Sequence, residues 1–108
     1  MKYCLALDLK DDKTLIAEYE NQHQAVWPEV VDSIKDSGIT SLEIYRVFNR
    51  LFMIMETDES FSFDKKNAMD SANSKVQEWE DLMWKYQQAI PQAKPGEKWV
   101  LMNKIFEL

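Results

Sequence analysis

His23 is the single histidine of the chain. An imidazole is the one side chain that ordinarily changes charge near neutrality, which makes it the natural carrier of a proton. Tyr19 stands four residues before it and Trp27 four residues after it. On a helix that spacing stacks the three along one stripe. A hydroxyl, an imidazole and a flat indole in a row suit a sugar, whose C–H face packs on an indole while its hydroxyls need directed donors and acceptors. The same spacing equally serves a histidine that is merely hydrogen-bonded or solvent-facing on its helix.

Glu43 is a second candidate. Period-two alternation puts Ser41, Glu43 and Tyr45 on one face of a strand and Leu42 and Ile44 on the other. A carboxylate beside a tyrosine works as an acid/base or a hydroxyl acceptor, or it lies on a partly wet face. Glu56, closing the following strand, could serve likewise, although a carboxylate at a strand end is more often just solvated. In the aromatic run Trp79-Glu80-Asp81-Leu82-Met83-Trp84-Lys85-Tyr86, the spacing of Trp79, Met83 and Tyr86 reads first as core. Trp84 falls off that stripe and is left for a ligand or a subunit surface. Cys4 sits in a strand without a neighbouring base, so it reads as a small packing residue and not a nucleophile. There is no glycine-rich phosphate loop, no G-x-S-x-G elbow and no calcium loop. One cysteine and one histidine exclude a zinc site of the Cys/His type. No metal and no organic cofactor is expected, which restricts any catalysis to acid–base work.

The elements that must position these groups follow from periodicity. Residues 3–9 alternate as a strand, with Tyr3, Leu5, Leu7 and Leu9 on one parity. Asp11-Asp12-Lys13-Thr14 supplies turn and N-cap chemistry for a helix from about Leu15. Pro28 interrupts it and opens a second helical segment carrying Val30, Val31 and Ile34 inward. Gly38 is the expected stop. Residues 39–48 and 50–56 read as two strands joined by a hairpin. A short helix is expected over 61–71, anchored by Phe61, Phe63 and Met69, and a longer one over 74–90. After a loop through Lys94-Pro95-Gly96-Glu97, a last strand is expected from Trp99 to Leu108. The order β-α-β-β-α-β is that of an α+β, ferredoxin-like antiparallel sheet with both helices on one face. Apolar residues occupy both parities of the third strand, with Phe52 and Ile54 alternating with Leu51, Met53 and Met55. The second sheet face therefore needs cover. A ligand-filled pocket would supply it, as would a second copy, and a homodimer is the expectation.

With 108 residues and no composition shift, the chain reads as one domain, 1–108. Nineteen acids against 13 bases give a net charge of −6, which disfavours nucleic acid and anionic membrane surfaces as partners. No apolar run approaches a membrane span, and the first residues break too early for a signal peptide. The lone cysteine suits a reducing compartment, so a cytoplasmic protein is expected.

The segment Tyr19-x-x-x-His23-x-x-x-Trp27-Pro28-Glu29 resembles the L-rhamnose mutarotase family of cofactor-free aldose 1-epimerases. The likeness extends through Gly38, Glu43-Ile44-Tyr45, Asn49-Arg50-Leu51-Phe52 and Trp79 to Met83, nearly the whole chain. It implies a dimeric α+β barrel with a monosaccharide pocket, in which His23 is the proton donor and Tyr19 and Trp79 touch substrate. Trp27 and Glu43 would add substrate contacts. The family's second-strand tyrosine is replaced by Leu42, and its paired tryptophans by Trp79-Glu80, with Trp84 further on. The resemblance thus implies a 6-deoxy-hexose, L-rhamnose or L-fucose, with Leu42 or Met53 against the C6 methyl and Glu80 in the pocket. Two other expectations belong to the same architecture: a cofactor-independent monooxygenase with a wide apolar pocket, and a non-catalytic ligand-binding module.

Overall fold

The structure is a computed structural model that describes all 108 residues. Strand β1 (Lys2–Leu9) buries Leu5, Leu7 and Leu9 on its inner face. Asp12 caps helix α1 (Lys13–Gln22), its carboxylate accepting from the Thr14 and Leu15 amides at 2.9 and 3.0 Å. Helix α1 ends at Gln22, and after a turn over residues 23–27 Pro28 opens helix α2 (Pro28–Asp36), its missing N–H placed where no intrahelical partner exists. Gly38 ends that segment at φ +99°, and a Cβ there would lie 2.6 Å from both Asp58 Oδ1 and Ser60 Oγ. Strands β2 (Ile39–Val47) and β3 (Arg50–Thr57) form the expected hairpin.

Helices α3 (Phe63–Ser71) and α4 (Ser74–Trp84) follow, then two short strands, β4 (Gln87–Gln88) and β5 (Val100–Leu101). The sheet runs β2-β3-β1-β4 with every pair antiparallel, and β5 also pairs with β1. This is the ferredoxin-like α+β arrangement read from the element order. The core gathers Leu9, Leu51, Tyr19, Val30, Val76, Trp79, Met83 and Tyr86 between the inner sheet face and the helices.

Four boundaries differ from expectation. The first helix, expected to run to Pro28, ends at Gln22, because the Gln24 and Ala25 amides bond the Asn21 and Gln22 carbonyls three residues back and tighten the chain into a turn. The helix expected over 74–90 ends at Trp84, because Tyr86 gives its carbonyl to the Lys10 amide at 2.8 Å and Gln87–Gln88 pair with the end of β1. Sheet pairing here outweighs the helical periodicity of residues 83–90. The helix expected from Phe61 begins at Phe63 behind a Ser62 cap and buries no residue completely, while Phe61 stacks among Tyr3 and Phe63. The strand expected from Trp99 to Leu108 contracts to Val100–Leu101. Beyond it Ile105, Phe106 and Leu108 are exposed, since nothing within one chain covers them.

Register assigns the two sheet faces. Cys4–Ile54–Glu43 and Ala6–Phe52–Tyr45 are cross-strand rows on the outer face. Leu5–Met53–Ile44 and Tyr3–Met55–Leu42 are rows on the inner one.

Candidate active site

A cavity of about 610 Å³ lies between the inner sheet face and the helices. Leu5, Leu42, Ile44, Met53 and Met55 form its sheet floor, and Tyr19 and His23 come from the end of α1. Val76, Trp79, Glu80 and Met83 come from α4, and Gln87 from β4. The 94–99 loop adds Gly96, Glu97, Lys98 and Trp99 to the wall.

His23 follows directly on α1 as its C-cap, where the helix runs out of following amides to occupy its last carbonyls. The imidazole adds a bond there: Nδ1 lies 2.9 Å from the Tyr19 carbonyl oxygen, which also accepts from the His23 backbone amide. A carbonyl only accepts, so this bond keeps a proton on Nδ1 and leaves Nε2 as the nitrogen that gains or loses one. Aromatic packing fixes the ring. Tyr19 lies with its centroid 4.3 Å away, and Trp79 meets the imidazole edge-on at 5.6 Å.

Tyr19 is 3% exposed, yet it forms part of the cavity wall. Burial pushes its phenol up to about 12, and the Gln87 carboxamide beside the hydroxyl offsets part of that rise. The group is a neutral hydroxyl at any physiological pH. Glu80 reaches the cavity with Oε2 accepting from Gln77 Nε2 at 3.4 Å. Lys98 lies above the Trp84 ring, 4.8 Å from its centroid, and donates to the Glu80 carbonyl at 3.1 Å. Burial lowers its ammonium pKa, with the Glu80 and Asp81 carboxylates opposing that shift.

The structure brings together four of the six side chains expected at the site: His23, Tyr19, Trp79 and Glu80. Trp27 stands one layer back and packs edge-on against Trp79, centroids 5.2 Å apart, as a buttress to a wall residue. Glu43 lies on the outer sheet face, exposed, accepting from the Tyr45 hydroxyl at 3.0 Å. Strand parity had separated it correctly from Leu42 and Ile44, but the helices cover the other side. Sequence reasoning missed Gln87, Lys66, Asn67, Glu97 and Lys98. Gln87 was hidden inside an apparent helix. Its Oε1 is the one enclosed side-chain polar atom without a partner, a condition that costs about 1–3 kcal/mol when nothing relieves it. Nowhere do three His, Cys, Asp or Glu side chains converge in a way that could hold a metal ion.

Residues 2–108 match the family model described as L-rhamnose mutarotase. The chain is 46% identical over 109 residues to an L-fucose mutarotase of Xanthomonas campestris pv. campestris, covering 99% of this chain and 87% of that protein. It is 30% identical to an L-rhamnose mutarotase of Formosa agariphila over 84% of this chain and 86% of that protein. Among solved structures, an L-rhamnose mutarotase from Formosa agariphila superposes with a TM-score of 0.74 at 19% identity, covering 100% of this chain and 98% of that one. The tetracenomycin F2 cyclase of Streptomyces glaucescens, a polyketide cyclase, shares the fold at a TM-score of 0.62 and 12% identity, over 100% of this chain and 96% of that one.

Proposed function

The chain belongs to the L-rhamnose mutarotase family, and on that premise we propose that it interconverts the α and β anomers of a 6-deoxy-hexose, with L-fucose ahead of L-rhamnose. The enzyme is an isomerase of sugar anomers. The preference for L-fucose draws on the 46% identity to an L-fucose mutarotase across nearly the whole chain. Neither oxygen chemistry nor a purely binding role draws comparable support.

The observation that carries the reading is the His23 ring on the cavity wall, tethered through Nδ1 with Nε2 left free. Neutral His23 accepts the proton of the anomeric hydroxyl at Nε2. The electron pair of that O–H bond becomes the second bond of the C1 carbonyl, while the bond from C1 to the ring oxygen breaks and its pair stays on that oxygen. The imidazolium then returns the proton to the ring oxygen, acting as its donor. Rotation about C1–C2 and the same steps in reverse give the other anomer. Because both oxygens are attached to C1, one nitrogen serves as base to the first and acid to the second without the ring turning. Each such transfer is worth about 10²–10⁴-fold. Modest help is enough, since mutarotation already proceeds in water.

The other assignments follow from position. Trp79 presents an apolar face to the pyranose and holds the imidazole edge-on, the two planes at 70°. Tyr19 supplies a neutral hydroxyl and Glu80 an acceptor for a sugar hydroxyl. Leu42 and Met53 offer the C6 methyl an apolar floor. The outer sheet face, with Cys4, Ala6, Phe52 and Ile54 half-buried and Tyr45 exposed, supports a homodimer paired sheet to sheet. The lone cysteine supports a reducing, cytoplasmic setting, and no helix is long and apolar enough to cross a membrane.

The test is anomeric exchange NMR on L-fucose and L-rhamnose. Exchange well above the buffer rate for at least one sugar is expected. Exchange at the buffer rate for both overturns the reading.

A further inference from the structure

Gln87 is 5% exposed and lies on the cavity wall near Tyr19, Trp79 and Met83. Its backbone pairs with Leu9 at the end of β1. Cross-strand partners share a face, so the side chain follows Leu9 toward the helices and away from solvent. Its Oε1 has no donor anywhere in the chain, although buried acceptors in folded proteins are nearly always satisfied. Were packing its only task, an apolar side chain of the same shape would do as well or better. The Gln87 carboxamide lies beside Tyr19, near enough to oppose part of the rise that burial gives the phenol. An enclosed acceptor with nothing to accept, on the wall of a cavity, calls for a donor that arrives with the ligand.

The identity of that donor rests on the mutarotase reading, under which the ligand brings neutral hydroxyl groups. We propose that Gln87 is a substrate-positioning residue: Oε1 accepts one pyranose hydroxyl, while its N–H rests on the Tyr19 oxygen and turns the phenol proton toward the sugar. The last torsion of a glutamine is soft, so a small swing of the amide brings Oε1 to the cavity. A phenol oxygen that receives the Gln87 N–H sends its own proton outward. The pair therefore offers the sugar one acceptor and one donor side by side. A neutral carboxamide does this without setting a charge against the His23 imidazolium.

Gln87→Met keeps the length and volume and removes both polar ends. The expected result is an unchanged or higher thermal midpoint, since an unsatisfied acceptor is gone. With it, KM for the better sugar rises about tenfold, the worth of one neutral hydrogen bond, while kcat changes far less. In the unsubstituted protein, the side-chain amide resonances of Gln87 are expected to shift on titration with the same sugar. A folded Gln87→Met protein with unchanged KM overturns the assignment and leaves the mutarotase reading standing. Amide resonances indifferent to saturating sugar do the same, and they decide the matter if the variant does not fold. If the unsubstituted protein accelerates neither sugar, the reading fails and takes this assignment with it.

Discussion

The carbonyl of Tyr19 receives two hydrogen bonds from His23, one from its backbone amide at 3.3 Å and one from its imidazole Nδ1 at 2.9 Å. Side chain and main chain of one residue thus close the end of α1 together. The aim of the imidazole is set by helix geometry and does not depend on a mobile loop.

His23→Ala is expected to lower enzyme-dependent exchange by about 10²–10⁴-fold. Its far-ultraviolet circular dichroism should match that of the unsubstituted protein, because α1 keeps its backbone bonds. Retention of full exchange would remove the imidazole from the chemistry.

Tyr19 ties stability to alkaline pH. Its folded value, about 12, stands above the ordinary 10.0. Its contribution is therefore complete below about pH 10 and is lost as pH climbs through about 12. That span corresponds to about 3 kcal/mol. Phenolate absorbance of the protein minus that of Tyr19→Phe should show a single late-titrating group. A difference curve centred near 10 would mean that the hydroxyl is solvated.

Gly38→Ala should cost more than about 1 kcal/mol in chemical denaturation. The positive φ strains an alanine, and the new methyl would press on Asp58 Oδ1, an atom that already accepts from the Ser60 amide and hydroxyl at 2.8 and 2.6 Å. The anomeric exchange rate of the surviving folded protein should be unaltered, since that corner does not line the cavity.

The outer sheet face makes oligomeric state measurable. Sedimentation velocity is expected to give a dimer for the unsubstituted chain and a monomer for Ile54→Glu. Ile54 sits mid-row between Cys4 and Glu43, where a buried carboxylate in a dry interface would go unpaired. A monomeric unsubstituted protein would contradict the dimer.

Helical spacing made Tyr19 and His23 legible, because residues four apart at the end of α1 stay neighbours whatever the rest of the chain does. Trp79, whose spacing on α4 reads as core, was legible only through the family resemblance. Strand parity likewise separated Glu43 from Leu42 and Ile44, but parity alone does not say which face the helices cover. Glu43 consequently reads as a candidate in one dimension and lies outside the cavity in three. Trp27 never joins the stripe of His23, because α1 ends at Gln22 and residues 23–27 turn into α2, so that Trp27 backs Trp79 instead. Gln87 was invisible for a different reason. Val76, Trp79, Met83, Tyr86 and Ile90 keep helical spacing past the point where pairing with β1 takes over. A long-range contact ended the helix, and no local pattern records it.

The fourth place in the sheet is filled by two short pieces, Gln87–Gln88 and Val100–Leu101, both fastened to β1. The excursion between them, residues 89–99, hangs over the pocket and brings Glu97, Lys98 and Trp99 to its rim. Anchored at each end, that stretch is free to lengthen, shorten or change its side chains without disturbing the pairing beneath it. Divergence among sugar-specific descendants would then be written mostly at this awning, beside a proton-transfer wall that stays as it is.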